Sequence, residues 1–180
     1  MSDHPRTVVR PAHRTDLPEI GRLGAALAQA HHDWDPQRFF MVDDMVDGYA
    51  WWLGKELANR EAVVLVGEQA GRIVGYAYGR LAERDWNALR DTCGEAVDLM
   101  VDPAARGTGA GLALMQALIA ALEGLGAPRV VLSAAARNHK AQRFFKALGF
   151  RPTMIEMTRE AEGKTAPTRK RVRPAPSKRR

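Results

Sequence analysis

Apolar positions recur along this chain with two different periods. Residues 7–10 read as a short strand. Leu17, Ile20, Leu23 and Leu27 then fall at helical spacing behind Thr15 and Asp16, either of which suits a helix cap. A second helix is predicted over about residues 43–58, with Met45, Val46, Tyr49, Trp52, Leu53 and Leu57 on one face. Residues 62–66 and 72–78 are strand-like runs on either side of Glu68-Gln69-Ala70-Gly71, the pattern of a hairpin. A strand at 96–101 leads through a glycine-rich turn into a helix carrying Leu112, Met115, Ile119 and Leu122, which Gly124, Gly126 and Pro128 stop. Residues 130–132 form a short buried strand, residues 138–148 a helix ending at Gly149, and residues 154–158 a last strand. There is no internal repeat. The order predicts a mixed α/β (α+β) domain.

The junction at 101–111 carries the chemistry. Its glycines let backbone N–H groups approach a phosphate, and the helix start behind them adds partial positive charge. The amides of Arg106, Gly107, Thr108, Gly109, Ala110 and Gly111 are therefore a candidate pyrophosphate cradle. A Walker loop would end in Gly-Lys-Ser/Thr, and none follows. A dinucleotide fingerprint would need Gly-x-Gly-x-x-Gly with an acidic residue after the next strand, and that too is missing. Glycines kept for tight packing alone are the structural alternative.

A second motif decides between these. Arg106-x-x-Gly109-x-Gly111 is followed, about 30 residues on, by Asn138-x-x-Ala141 and Phe144-Phe145-x-x-Leu148-Gly149-Phe150. With both motifs in this order, residues 7–158 resemble the GCN5-related N-acetyltransferase (GNAT) family. The resemblance implies one GNAT-type domain over residues 1–158, followed by a basic tail at 159–180. Its central, mostly antiparallel twisted sheet would be flanked by helices. The strands at 96–101 and 129–134 would splay apart to admit the pantetheine arm of acetyl-CoA, the expected co-substrate. Backbone groups of Leu99, Met100 and Val101 would hold that arm, Arg106 to Gly111 the pyrophosphate, and Asn138 and Phe144 further parts of the cofactor. The amine would attack the thioester directly in a ternary complex without a metal, and backbone donors near Met100 would steady the oxyanion.

The chain departs from the family pattern at two places. Phe145 stands where many members carry a proton-donating Tyr, and Ser133 stands where the ribosomal-protein acetyltransferases tend to place Glu. That leaves Glu95 and Asp98, on the strand before the cradle, as candidate catalytic bases acting directly or through water. Tyr76 and Tyr78 are further candidates, lining the cleft from the neighbouring strand. Each of the four has an ordinary structural role as its alternative.

The 180 residues suit one domain, and a hydrophobic content of 46% is that of a water-soluble protein. No apolar run approaches the roughly 18 residues of a membrane span, and the N-terminus lacks a signal-peptide pattern. Cys93 is the single cysteine; in Asp91-Thr92-Cys93-Gly94 it reads as an unreactive thiol in a connecting turn, consistent with a cytoplasmic protein. The net charge of +6 is concentrated in residues 159–180, which hold nine Lys/Arg against two Glu and leave the body at −1. Residues 163–180, almost without large apolar side chains, are expected to be disordered. Such a tail is either a solvated extension or a non-specific nucleic-acid contact.

Six of the twelve aromatic residues lie between Trp34 and Trp52, interleaved with Asp33, Asp35, Asp43, Asp44 and Asp47. Carboxylates beside aromatic faces suit a cationic amine acceptor, although core packing and helix capping account for the same residues. His31-His32-Asp33-x-Asp35 has no further Cys or paired His to complete a metal site. Two functions remain: acetyl transfer from acetyl-CoA to a primary amine on a small molecule or a lysine, and acyl-CoA binding by a non-catalytic regulatory module held on nucleic acid by its tail. The sequence leaves the acceptor open, and the oligomeric state as well, a homodimer included.

Overall fold

The computed structural model describes residues 6–162. The described residues pack as two units, one of residues 6–25 and 46–133 and the other of residues 26–45 and 134–162.

The first unit is built on a five-stranded sheet in sequence order: β1 (Val8–Pro11), β2 (Ala62–Gln69), β3 (Arg72–Ala82), β4 (Cys93–Val101) and β5 (Val130–Leu132). The first four pair antiparallel and β5 joins β4 in parallel, so the sheet is mixed and mostly antiparallel, as expected. A parallel partner requires a crossover, which the helix at Ala110–Gly124 (α3) supplies. Leu114, Met115, Leu118 and Leu122 of α3 are buried. The sheet admits them closely: a Cβ on Gly75 would lie 3.0 Å from Leu114 and 2.7 Å from the Met100 carbonyl oxygen. Tyr76 and Tyr78 alternate with Gly75 and Ala77 and so point to the opposite face, where Trp52 of α2 (Met45–Glu56) meets the Tyr78 ring edge-on at 5.1 Å.

α1 (Leu17–Trp34) begins in the first unit with Ile20 and Leu23 fully buried. The Arg10 guanidinium on β1 forks onto Asp16 at 2.7 and 3.0 Å and also reaches Glu68 on β2 at 2.6 Å. Asp16 accepts the His13 amide at 2.7 Å, so it pins the entry to α1.

In the second unit Asn138 caps α4 (His139–Ala147), its Oδ1 accepting the Ala141 N–H at 3.1 Å. Gly149, at φ +90°, ends that helix in the predicted left-handed cap. His31 packs edge-on against Trp34 and Phe39, and Arg137 donates to the Trp34 carbonyl at 2.7 Å.

Three expectations need correction. The predicted strand at 154–158 is not formed: Met154, Ile155 and Met157 are 83–90% exposed and pair with no strand among the described residues. Its composition favours a pleated strand, but a strand exists only where another edge supplies hydrogen bonds. Cys93 is not in a turn; it opens β4, is fully buried, and burial pushes its thiol up. Tyr76 and Tyr78 do not line an open cleft, being at most 1% exposed. The expected disorder and nucleic-acid contact of residues 163–180 fall outside the described residues. Among the described residues no helix is long and apolar enough to cross a membrane.

Candidate active site

β4 has two neighbours at its start and one at its end. β5 pairs with it only from Gly94 to Ala96, so Val97 to Val101 run on beside β3 alone. A bulge at the same place sets Gly79 opposite Ala96 and Tyr78 opposite Asp98, skipping Val97. Just beyond, the Asp102 N–H reaches back to the Val74 carbonyl on β3 at 2.8 Å. Because backbone groups alternate sides along an antiparallel strand, Met100 faces β3, whereas the N–H and C=O groups of Leu99 and Val101 face the open edge. The sequence reading names backbone groups of Leu99, Met100 and Val101; in this register Leu99 and Val101 are on the open side and Met100 is not.

Beyond Val101 the chain turns through a short 3₁₀ segment, Pro103–Ala105, capped by Asp102 Oδ1 on the Ala104 N–H at 3.0 Å. Arg22 on α1 grips the other Asp102 oxygen at 2.8 Å and holds that carboxyl below its usual range. Gly107 and Gly109 then take φ of +83° and +88°, the left-handed region that side chains resist. A Cβ on either would meet no heavy atom within 4 Å, so φ rather than crowding calls for glycine there. The first bond of α3 runs from the Ala113 N–H to the Gly109 carbonyl at 3.0 Å, leaving the Ala110, Gly111 and Leu112 amides without a partner inside the helix. Gly111 lies against Val101, which it would meet at 3.6 Å through an added Cβ.

The turn is anchored to the sheet by a side chain that no sequence signal singles out. Gln69, 7% exposed, donates to Thr108 Oγ1 at 2.7 Å and to Thr7 Oγ1 at 2.9 Å. The Thr108 hydroxyl donates in turn to the Ala105 carbonyl at 2.8 Å. Arg106 Nε reaches the Val101 carbonyl at 3.3 Å, and its side chain stays exposed. Bare amides, a helix start and an exposed arginine form a donor set that fits a pyrophosphate.

The two candidate bases stand in different surroundings. Glu95 is ion-paired on both oxygens, to Arg80 at 2.9 Å and to Arg90 at 3.4 Å. Asp98 is half-buried and accepts the Tyr76 hydroxyl at 2.8 Å on Oδ2. Leu99 to Gly111 thus form one continuous stretch of the first unit, with Glu95 and Asp98 on the strand that leads into it. Asn138 and Phe144 belong to the second unit, where Asn138 caps α4 and Phe144 stacks on Phe145 with ring centroids 5.3 Å apart. Nothing in the sequence pointed to Gln69, whereas Asp102 before Pro103 is a legible cap signal.

The model of the acetyltransferase (GNAT) family matches residues 26–150. Uncharacterized N-acetyltransferases of Mycobacterium bovis and Mycobacterium tuberculosis are each 37% identical to this chain over 95 residues. That match covers 53% of this chain, which spans about half (56%) of the length of those relatives. Among solved structures, a tetramutant of the BH1408 protein from Bacillus halodurans superposes with a TM-score of 0.76 at 22% identity, covering 86% of this chain and 99% of that one. A GCN5-related N-acetyltransferase from Ralstonia eutropha superposes with a TM-score of 0.65 at 24% identity, covering 88% and 100%. The aminoglycoside N-acetyltransferase AAC(6')-Iy, in complex with CoA, reaches 0.70 at 16% identity, covering 90% and 99%. At these identities the likeness to solved structures is one of fold.

Proposed function

The chain belongs to the acetyltransferase (GNAT) family, and on that premise we propose that it transfers an acetyl group from acetyl-CoA to a primary amine. The observation that carries this reading is the lone run of β4 from Val97 to Val101, which ends in a glycine turn with bare amides. An extended amide-bearing arm laid along that edge finds Leu99 and Val101, and its pyrophosphate finds the amides of Gly107 to Gly111, the Arg106 amide being given to the Pro103 carbonyl at 3.3 Å and its side chain remaining to meet the anion. Of the second unit, Asn138 and Phe144 are the residues the family likeness assigns to the cofactor.

In the transfer the amine nitrogen bonds to the thioester carbonyl carbon and the C–S bond breaks. The Leu99 or Val101 amide on the open edge receives the developing oxyanion. The surplus proton of the amine passes to Asp98, directly or through water, and the departing thiolate takes one from solvent, since Phe145 has none to give. Glu95 is less suited to the same task, because Arg80 and Arg90 already occupy its oxygens. We favour a cationic acceptor, on the strength of the carboxylates interleaved with aromatics between Trp34 and Trp52.

Thermal unfolding with and without acetyl-CoA tests the binding. A ligand at 100 times its Kd stabilises by about 2.7 kcal/mol, a shift of several degrees for a domain of this size. Free-thiol release in a pool of primary amines tests the transfer. Binding with thiol release supports the enzyme, and tight binding without it supports the non-catalytic module that Phe145 keeps in play. No shift with any acyl-CoA overturns the cradle.

A further inference from the structure

Tyr76 sits at 0% exposure in the middle of β3, with its hydroxyl 2.8 Å from Asp98 Oδ2. If the site asked only for volume, Phe would fill it without a polar atom to satisfy. Burial and the nearby carboxylate push the phenol well above its ordinary 10, so it remains a donor throughout the pH range in which proteins are stable. Of the two β4 carboxylates, Glu95 is held by Arg80 and Arg90, and Tyr76 donates to the other. The bulge at Val97 brings Asp98 opposite Tyr78, on the stretch of β4 that β5 no longer pairs and next to Leu99 on the open edge.

We propose that Tyr76 is a positioning residue: its buried hydroxyl fixes the Asp98 carboxylate in the orientation that receives the proton of the acceptor amine. This rests on the acetyl-transfer reading above. Among the other groups that bear on Asp98 are the hydroxyls of Tyr49 on α2 and Tyr78 on β3, and behind Tyr78 stands Glu56 of α2. On β4 itself the neighbouring carboxylate is Glu95 with its two arginines. α3 lies on the opposite face of the sheet, its only charged side chain being Glu123 near its far end, and β5 has no titratable side chain.

The test uses the full chain, acetyl-CoA, and the amine that turns over fastest in the pool, with Tyr76→Phe, Asp98→Asn and the double variant compared. Tyr76→Phe should lower kcat about tenfold, the loss of one charge-assisted hydrogen bond, with the KM for acetyl-CoA unchanged. Without that donor the carboxylate holds its proton more tightly, so the acidic limb of the pH profile should move up by about one unit. Asp98→Asn should remove the limb, and the double variant should be no slower than Asp98→Asn alone. An equal loss from Tyr76→Phe in both backgrounds, or an unmoved limb, overturns the proposal. Should Tyr76→Phe not fold, a fluorinated tyrosine at 76 keeps the packing and strengthens the donor; it should move the limb down, and no movement overturns the proposal. Absence of turnover by the wild-type chain overturns the acetyl-transfer reading and this role together, whereas turnover with an unmoved limb overturns the role of Tyr76 alone.

Discussion

At the scale of one residue, Gly109 answers two demands, one on backbone angle and one, in the proposed cradle, on its amide. Its φ of +88° costs an L side chain about 1–2 kcal/mol, and its amide is one of those we propose for the pyrophosphate cradle at the start of α3. Because an added Cβ would meet no neighbour, the two demands are separable by mutation. Gly109→Ala should lower the melting temperature by a few degrees while the chain still responds to acetyl-CoA. Gly109→Glu should carry the same strain and also put a negative charge into the cradle, abolishing the acetyl-CoA shift in a protein that still unfolds cooperatively. A normal shift in the glutamate variant would show that the phosphates lie elsewhere. This glycine was legible in the sequence, because strand, turn and helix signals bracket it closely. Gln69, which holds the neighbouring Thr108, was not: a polar residue closing a strand reads as solvated until the fold buries it.

Between elements, the corner from β1 into α1 is held by an ion pair whose pH dependence has a definite sign. Arg10 keeps the Asp16 carboxyl below its ordinary 3.8, and the group is nearly buried. A depressed folded-state pKa gives stability that is complete above the unfolded value and is lost as pH falls through the folded one. Asp16→Asn should therefore destabilise by about 2 kcal/mol at neutral pH, and the gap to wild type should close below pH 3.8. Urea unfolding at a series of pH values checks this; a gap that persists undiminished into acid would mean the pair contributes little. The sequence showed that a helix starts here, since its apolar spacing was clear, but offered Asp16 only as an alternative to Thr15 for the cap. What it left out was Arg10, because a partner on another strand leaves no mark in local spacing. The strand expected at 154–158 failed for a related reason: its residues favour extension, but pairing is decided by which edges the rest of the fold leaves free.

For the whole molecule, the family match places this chain in the acetyltransferase (GNAT) family, and its charge divides into a body at −1 and a strongly basic C-terminal stretch. The feature with the widest reach is the early parting of β4 and β5 after Ala96. A sheet left incomplete in this way has its own dynamics. Amides of Leu99 and Val101 face the open edge and should trade their hydrogens with solvent quickly in the free protein, while the Met100 amide, turned to β3, should trade slowly. Acetyl-CoA in that gap would act as a removable strand, slowing exchange at Leu99 and Val101 and leaving Met100 unchanged. Amide exchange followed residue by residue would show this every-other-residue pattern, and uniform slowing across all three would argue against a ligand lying along the strand. The free protein would then be a sheet with a local soft spot, and the concentration of acetyl-CoA would set how often that spot opens.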